Sequence, residues 1–76
     1  MQRVDIFPNP ASHSLNIGAE GMKGVRVCNL LGQVVMECET ESNSLSINIS
    51  DWNEGMYVVM IITENGLLTG SVSIIH

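Results

Sequence analysis

Apolar residues recur at every second position along most of this chain. Val4 and Ile6 flank Asp5, Leu15 and Ile17 flank Asn16, Val25 and Val27 flank Arg26, and Leu45, Ile47 and Ile49 alternate with Ser46 and Asn48. A period of two is the signature of a strand with one buried face. Clusters of turn-forming residues interrupt these runs at Pro8 to Ser12, Gly18 to Gly24, Asn29 to Gly32, Glu41 to Ser44, Ser50 to Gly55 and Glu64 to Gly66. Six such turns predict about seven strands. No window of a dozen residues places apolar side chains at i, i+3, i+4 and i+7 without a glycine or proline inside it, so no helix is predicted. The pattern predicts an all-β chain that closes as an immunoglobulin-like antiparallel sandwich or a small barrel, and the sandwich is the expected form.

Particular connections follow from residue type. In "DIFPNPASHSLNI", Pro8 and Pro10 lack an N–H and hold φ near −65°, so neither fits the middle of a ladder, and the residues before them are pushed toward extended backbone. A stiff corner is predicted there. In "VRVCNLLGQVVMEC", Asn29 and Gly32 fit a type I turn followed by a left-handed glycine and a bulge. With Asn29 and Gln33 closing that hairpin, Cys28 faces Val34, Val27 faces Val35 and Gly24 faces Cys38. The cysteines are then four positions out of register, about 13 Å, roughly twice the reach of a disulfide, and two free thiols are expected. In "TENGLL", Asn65-Gly66 between apolar runs predicts the last hairpin.

The run "MYVVMII", residues 56 to 62, is apolar at every position. It is read as a central strand with both faces covered, or else as a surface for association. The closing "GSVSIIH" alternates again and, as an edge strand, carries no lysine or proline to discourage pairing. Strand-mediated self-association is open to it.

Charge and size narrow the function classes. With 76 residues and 8.3 kDa the chain is read as one domain, 1–76, that buries roughly 60% of its unfolded surface. Met1 is taken to begin a segment excised from a larger precursor. The net charge of −5 comes from eight carboxylates against Arg3, Lys23 and Arg26, which leaves no basic surface for nucleic acid. No apolar run is long enough for a spanning helix, and the N-terminus lacks the sections of a secretory signal.

Candidate chemistry is sparse. Ser12, His13 and Asp51 are triad residue types, but neighbours in extended chain point opposite ways, and no nucleophile elbow accompanies them. His13 and His76 lack ligand spacing, so no metal and no cofactor is expected. Glu37, Glu39 and Glu41 share one strand face at spacing two and are read as a solvated strand end, although calcium accepts such ligands. Asn48-Ile49-Ser50 is a glycosylation triplet too short to carry weight. Trp52 is read as plugging its turn into the core. No catalytic site is expected.

The order "FPNPASHSLNI", "VRVCNLLGQVV", "ISDWNEGMYVVMI", "TENGLLTGSVSII" resembles the type A C-terminal sorting domain of the Bacteroidetes type IX secretion system over essentially the whole chain. The resemblance rests on an aromatic followed by Pro-Asn-Pro-Ala-Ser, a hairpin with Leu-Gly and a following valine pair, and a Gly-x-Tyr-x-Val strand near the end. It carries over Pro8, Asn9 and Pro10 as the opening motif, Gly32 as the hairpin glycine, and Gly55 and Tyr57 as the late strand motif. His13 stands where an aspartate is frequent. No lysine or arginine follows Asn65-Gly66, and Val58, Met60 and Ile62 stand where polar residues often alternate.

The resemblance implies an immunoglobulin-like fold of about seven strands that works as an address, not an enzyme. Its implied partners are the type IX translocon and sortase, together with an N-terminal cargo domain in the precursor. The implied route is through the periplasm to the cell surface or medium, with the domain usually removed by the sortase at or before residue 1. The runner-up is an immunoglobulin-like accessory module that binds glycan or protein at the surface. For the six motif residues the plainer role is to maintain the fold that is recognised.

Overall fold

A computed structural model describes residues 4–76 of the chain, so Arg3 lies outside the described residues. Seven strands follow one another: β1 Val4–Phe7, β2 Ser14–Ala19, β3 Met22–Asn29, β4 Val34–Glu39, β5 Ser44–Asn48, β6 Gly55–Thr63 and β7 Gly66–Ile74. They form a three-stranded sheet in the order β1-β2-β5 and a four-stranded sheet in the order β4-β3-β6-β7, with every strand pair antiparallel. The alternating side chains meet between the sheets, where Leu15, Ile17, Val25, Val27, Val59 and Ile61 are fully or almost fully buried. This is the sandwich that the periodicity predicts.

The corner at Pro8 and Pro10 carries the chain from one sheet to the other. β1 pairs with β2 in the three-stranded sheet, while Ala11 bridges to Ile74 of β7 in parallel. Both prolines follow cis peptide bonds. The Ala11 N–H donates to the Ser73 carbonyl at 2.8 Å, and the Ile75 N–H donates to the Ala11 carbonyl at 2.9 Å. Asn9 extends the contact: its Oδ1 accepts the Ser73 N–H at 3.0 Å, and its Nδ2 lies 3.5 Å from the Ser71 carbonyl. Residues 9–11 are therefore a strap along the edge of β7, with an amide side chain standing in for backbone. At Gly70 the lack of a side chain leaves room for Ile6 of β1, since a Cβ there would lie 2.5 Å from Ile6 Cδ1.

Several local expectations need correction. The β3–β4 hairpin closes as predicted, with the Asn29 N–H donating to the Gln33 carbonyl at 3.0 Å and Cys28 facing Val34. A bulge then follows, so Val27 faces Met36 instead of Val35, and Gly24 faces Glu39 instead of Cys38. One extra residue on β4 shifts every later pair. Cys38 now faces Val25, three positions from Cys28, and both cysteines are free. In the last hairpin the two turn residues are Glu64 and Asn65, and Gly66 is already paired with Thr63. A type I′ turn would need left-handed backbone at both central residues and a type II′ turn at the first. No described non-glycine residue adopts a positive φ, and the glycine takes φ 130° one place later.

The turn expected over Gly18 to Gly24 shrinks to Glu20 and Gly21, because Gly18 and Gly24 lie within β2 and β3. Glu41 lies beyond β4, so only Glu37 and Glu39 share that strand, and Glu37 is bonded to Arg26. β6 is an inner strand, but only one of its faces is fully covered, and on the other Val58 and Met60 are half-buried. Tyr57, Val59 and Ile61 are buried, while Met56 and Ile62 on the other face remain 44% and 45% exposed.

Candidate functional site

The six motif positions gather toward one end of the sandwich. Asn29 at the end of β3 faces Tyr57 of β6, Tyr57 faces Val72 of β7, and Gly55 faces Ile74. The strap over Ser71 to Ile75 lies at the same end. Pro8, Asn9, Pro10, Gly55 and Tyr57 thus converge on the last residues of β7, and Gly32 sits in the neighbouring hairpin turn.

The contacts explain why these residue types stand there. Tyr57 is buried, and its hydroxyl donates to the Asn53 carbonyl four residues upstream at 2.7 Å. This is the tyrosine corner of immunoglobulin-like sandwiches, in which the phenol ties the crossover to the start of the next strand. Trp52 is half-buried against Tyr57, with ring centroids 5.3 Å apart and planes tilted by 46°, which plugs the turn as expected. The Trp52 carbonyl also lies 2.6 Å from His76 Nε2. Replacing Tyr57 with phenylalanine removes only the hydroxyl bond. It is expected to lower stability by about 1 kcal/mol, read as an earlier urea midpoint with an unchanged slope.

The hairpin turn is held from within by one side chain. Asn29 Oδ1 accepts the Leu31 N–H at 2.9 Å and the Gln33 N–H at 3.0 Å, and Asn29 Nδ2 donates to Gln33 Oε1 at 2.9 Å. The Gly32 N–H donates to the Asn29 carbonyl at 3.0 Å, and Gly32 takes φ 85°. A side chain at that φ is strained, which is the reason for glycine. At the tip this turn presents Leu30 and Leu31, 71% and 85% exposed. Sequence reasoning used Leu31 only within the Leu-Gly motif and gave neither leucine a surface role; the signal was two large apolar residues at the centre of a turn, where polar residues are usual.

Ser12 and His13 do not point apart. They lie in a bend, not in extended chain, and Ser12 Oγ is 2.9 Å from His13 Nδ1. Among the described residues no group of three or more His, Cys, Asp or Glu is arranged to hold a metal ion.

An open groove of about 560 Å³ crosses the outer face of the three-stranded sheet. Gly18, Phe7, Asn16, Asn43, Ser44 and Ser46 are among the residues that line it. The Phe7 ring is 55% exposed.

Comparison with known proteins gives two findings. The sequence profile of the family described as "Secretion system C-terminal sorting domain" matches residues 5–75. The chain is also similar to an ulvan lyase of Nonlabens ulvanivorans, 31% identical over 61 residues. That match covers 76% of this chain and 11% of the lyase, so the chain spans only a small part of that relative.

Proposed function

This chain belongs to the family of secretion system C-terminal sorting domains, and from that premise we propose how its fold is used. Its function is that of a C-terminal signal of type IX secretion, which marks its parent as a secreted or cell-surface protein. The sorting domain is not itself catalytic.

The finer reading is that the folded surface is the address. The domain, residues 1–76, follows an N-terminal cargo domain in a precursor that passes through the periplasm. The translocon recognises the sandwich, and a surface sortase then removes it. The relative named as a lyase is consistent with an enzyme as cargo. The observation that supports recognition by shape is the way the motif residues are spent. Asn9 clamps β7, Gly32 shapes a turn and Tyr57 ties a corner, so the motif builds the end of a sandwich. Strand-mediated self-association belongs to this reading only at the part of the β7 edge that the strap leaves open, around Leu67 and Thr69.

Fusion tests it. A periplasm-targeted fluorescent protein carrying residues 1–76 is expected to reach the surface or medium of a host with a type IX system. Periplasmic retention of an intact, folded fusion would overturn the sorting reading. A second reading, an accessory module that binds glycan, draws on the groove over Gly18, where an exposed aromatic ring stands among amides and hydroxyls. Phe7→Ser abolishes glycan binding on that reading and leaves export intact on the first.

A further inference from the structure

We propose that Leu30 and Leu31 form an anchor by which this domain docks into an apolar pocket of a protein partner of the export machinery. The inference rests on the sorting reading and adds which part of the surface is read. At 71% and 85% exposure these are the most exposed large apolar residues of the described chain. The backbone that carries them is held in place. The Asn29 side chain holds the turn by accepting from Leu31 and Gln33 and donating to Gln33, while backbone bonds join Asn29 to Gln33 and Gly32 to Asn29. A rigid loop that presents apolar side chains has already met much of the ordering cost of binding.

The surroundings extend the anchor. Val34 and Val35, just past the turn, are 52% and 41% exposed, so four apolar side chains share one hairpin. The bulge after Cys28 places one more residue on β4 there, turning both valines out at the hairpin end. None of these side chains helps the core, since the buried cluster begins at Val27 on one strand and Met36 on the other. Exposed apolar residues of no use to the fold mark interaction sites when they cluster.

Charge decides the class of partner. The stretch from Val27 to Met36 has no ionisable group besides the Cys28 thiol, and no lysine or arginine. Membrane-binding loops combine apolar side chains with cations that meet anionic headgroups. Here the two described cations, Lys23 and Arg26, are bonded to Glu64 and Glu37, and the chain carries a net charge of −5. A protein pocket of matching apolar character fits, and an anionic lipid surface does not. A second copy of the chain offers no such pocket at its own hairpin end, where Leu30, Leu31, Val34 and Val35 all protrude.

The test uses the periplasm-targeted fluorescent fusion in a host with a type IX system. L30S/L31S is expected to reduce export by at least about tenfold, the loss typical of truncating an interface anchor. The purified variant should keep its urea midpoint, because exposed turn residues contribute little to folding. Ile62→Ser, a control at a side chain 45% exposed on the inner strand β6, is expected to be exported normally. If the double variant unfolds, Leu31→Ser alone carries the test. Export of the folded variant at the parent level overturns the anchor and leaves the sorting reading intact. Failure of the parent fusion to leave the periplasm overturns the sorting reading, and the anchor with it. Cosedimentation of the parent domain with phosphatidylglycerol vesicles, lost in L30S/L31S, overturns the protein pocket in favour of lipid.

Discussion

Ile61→Ala is expected to destabilise the domain by about 2–5 kcal/mol, the range for removing a buried isoleucine when the cavity cannot collapse. Ile61 is fully buried in β6, an inner strand, between Val25 of β3 and Leu68 of β7 on its cross-strand sides. Neighbours on both sides hold the backbone in place, so relaxation into the cavity is restricted. A chain of this length has about 4–11 kcal/mol in total, and the loss approaches half of it. At about 4–8 °C per kcal/mol for a domain of this size, the melting temperature should fall by more than about 8 °C. A calorimetric scan measures this directly. A shift of only a degree or two would mean that the two sheets are not packed as described.

Ala11→Asp is expected to have a comparable effect by a different route. Ala11 is fully buried and makes two backbone bonds, one with Ser73 of β7 and one with Ile75 just past its end. A carboxylate at that position must either stay buried, at a cost of several kcal/mol, or pull the strap off the edge. Detachment costs three well-formed hydrogen bonds, at about 1 kcal/mol each. The second route is the cheaper one, so the expected result is a folded sandwich weakened by about 3 kcal/mol with its strap released. The Ser73 and Ile75 amides, bonded to Asn9 and Ala11, should then lose their protection from hydrogen exchange while the amides of β6 keep theirs. The uncovered edge would extend toward Ile75 in a strand that carries no charged side chain, so concentration-dependent association should follow. Persistent protection of Ser73 would show that the strap is not what seals this edge.

How much of this was legible differs from element to element. The hairpin turn at Asn29 to Gly32 was readable because a left-handed glycine and a capping asparagine act within four residues. The register beyond it was not, since Val34, Val35 and Met36 are all apolar and no polar residue marks which of them the bulge turns out. The last hairpin was found by its Asn-Gly signal but placed one residue late. The pairing of Thr63 with Gly66 is set by the β6–β7 ladder and not by the turn residues alone. The family motif was visible as residues in order, yet their work was hidden. Asn9 meets Ser73 across 64 positions of sequence, a distance that no local pattern reports. Leu30 and Leu31 were in plain view within the same motif, and only their exposure gave them a role.

Sequence alone determined that this protein is all strand, with about seven of them and one buried face for most, because a period of two is a local consequence of backbone geometry. It also determined the family, through short motifs whose order survives without knowledge of contacts. The tertiary structure decided which sheet each strand joins, that Pro-Asn-Pro is a strap on the final edge, and which apolar residues stay in water. Those outcomes depend on closure between segments far apart in the chain. The free energy of such contacts comes from pairing two surfaces, and neither surface records the other in its own residues.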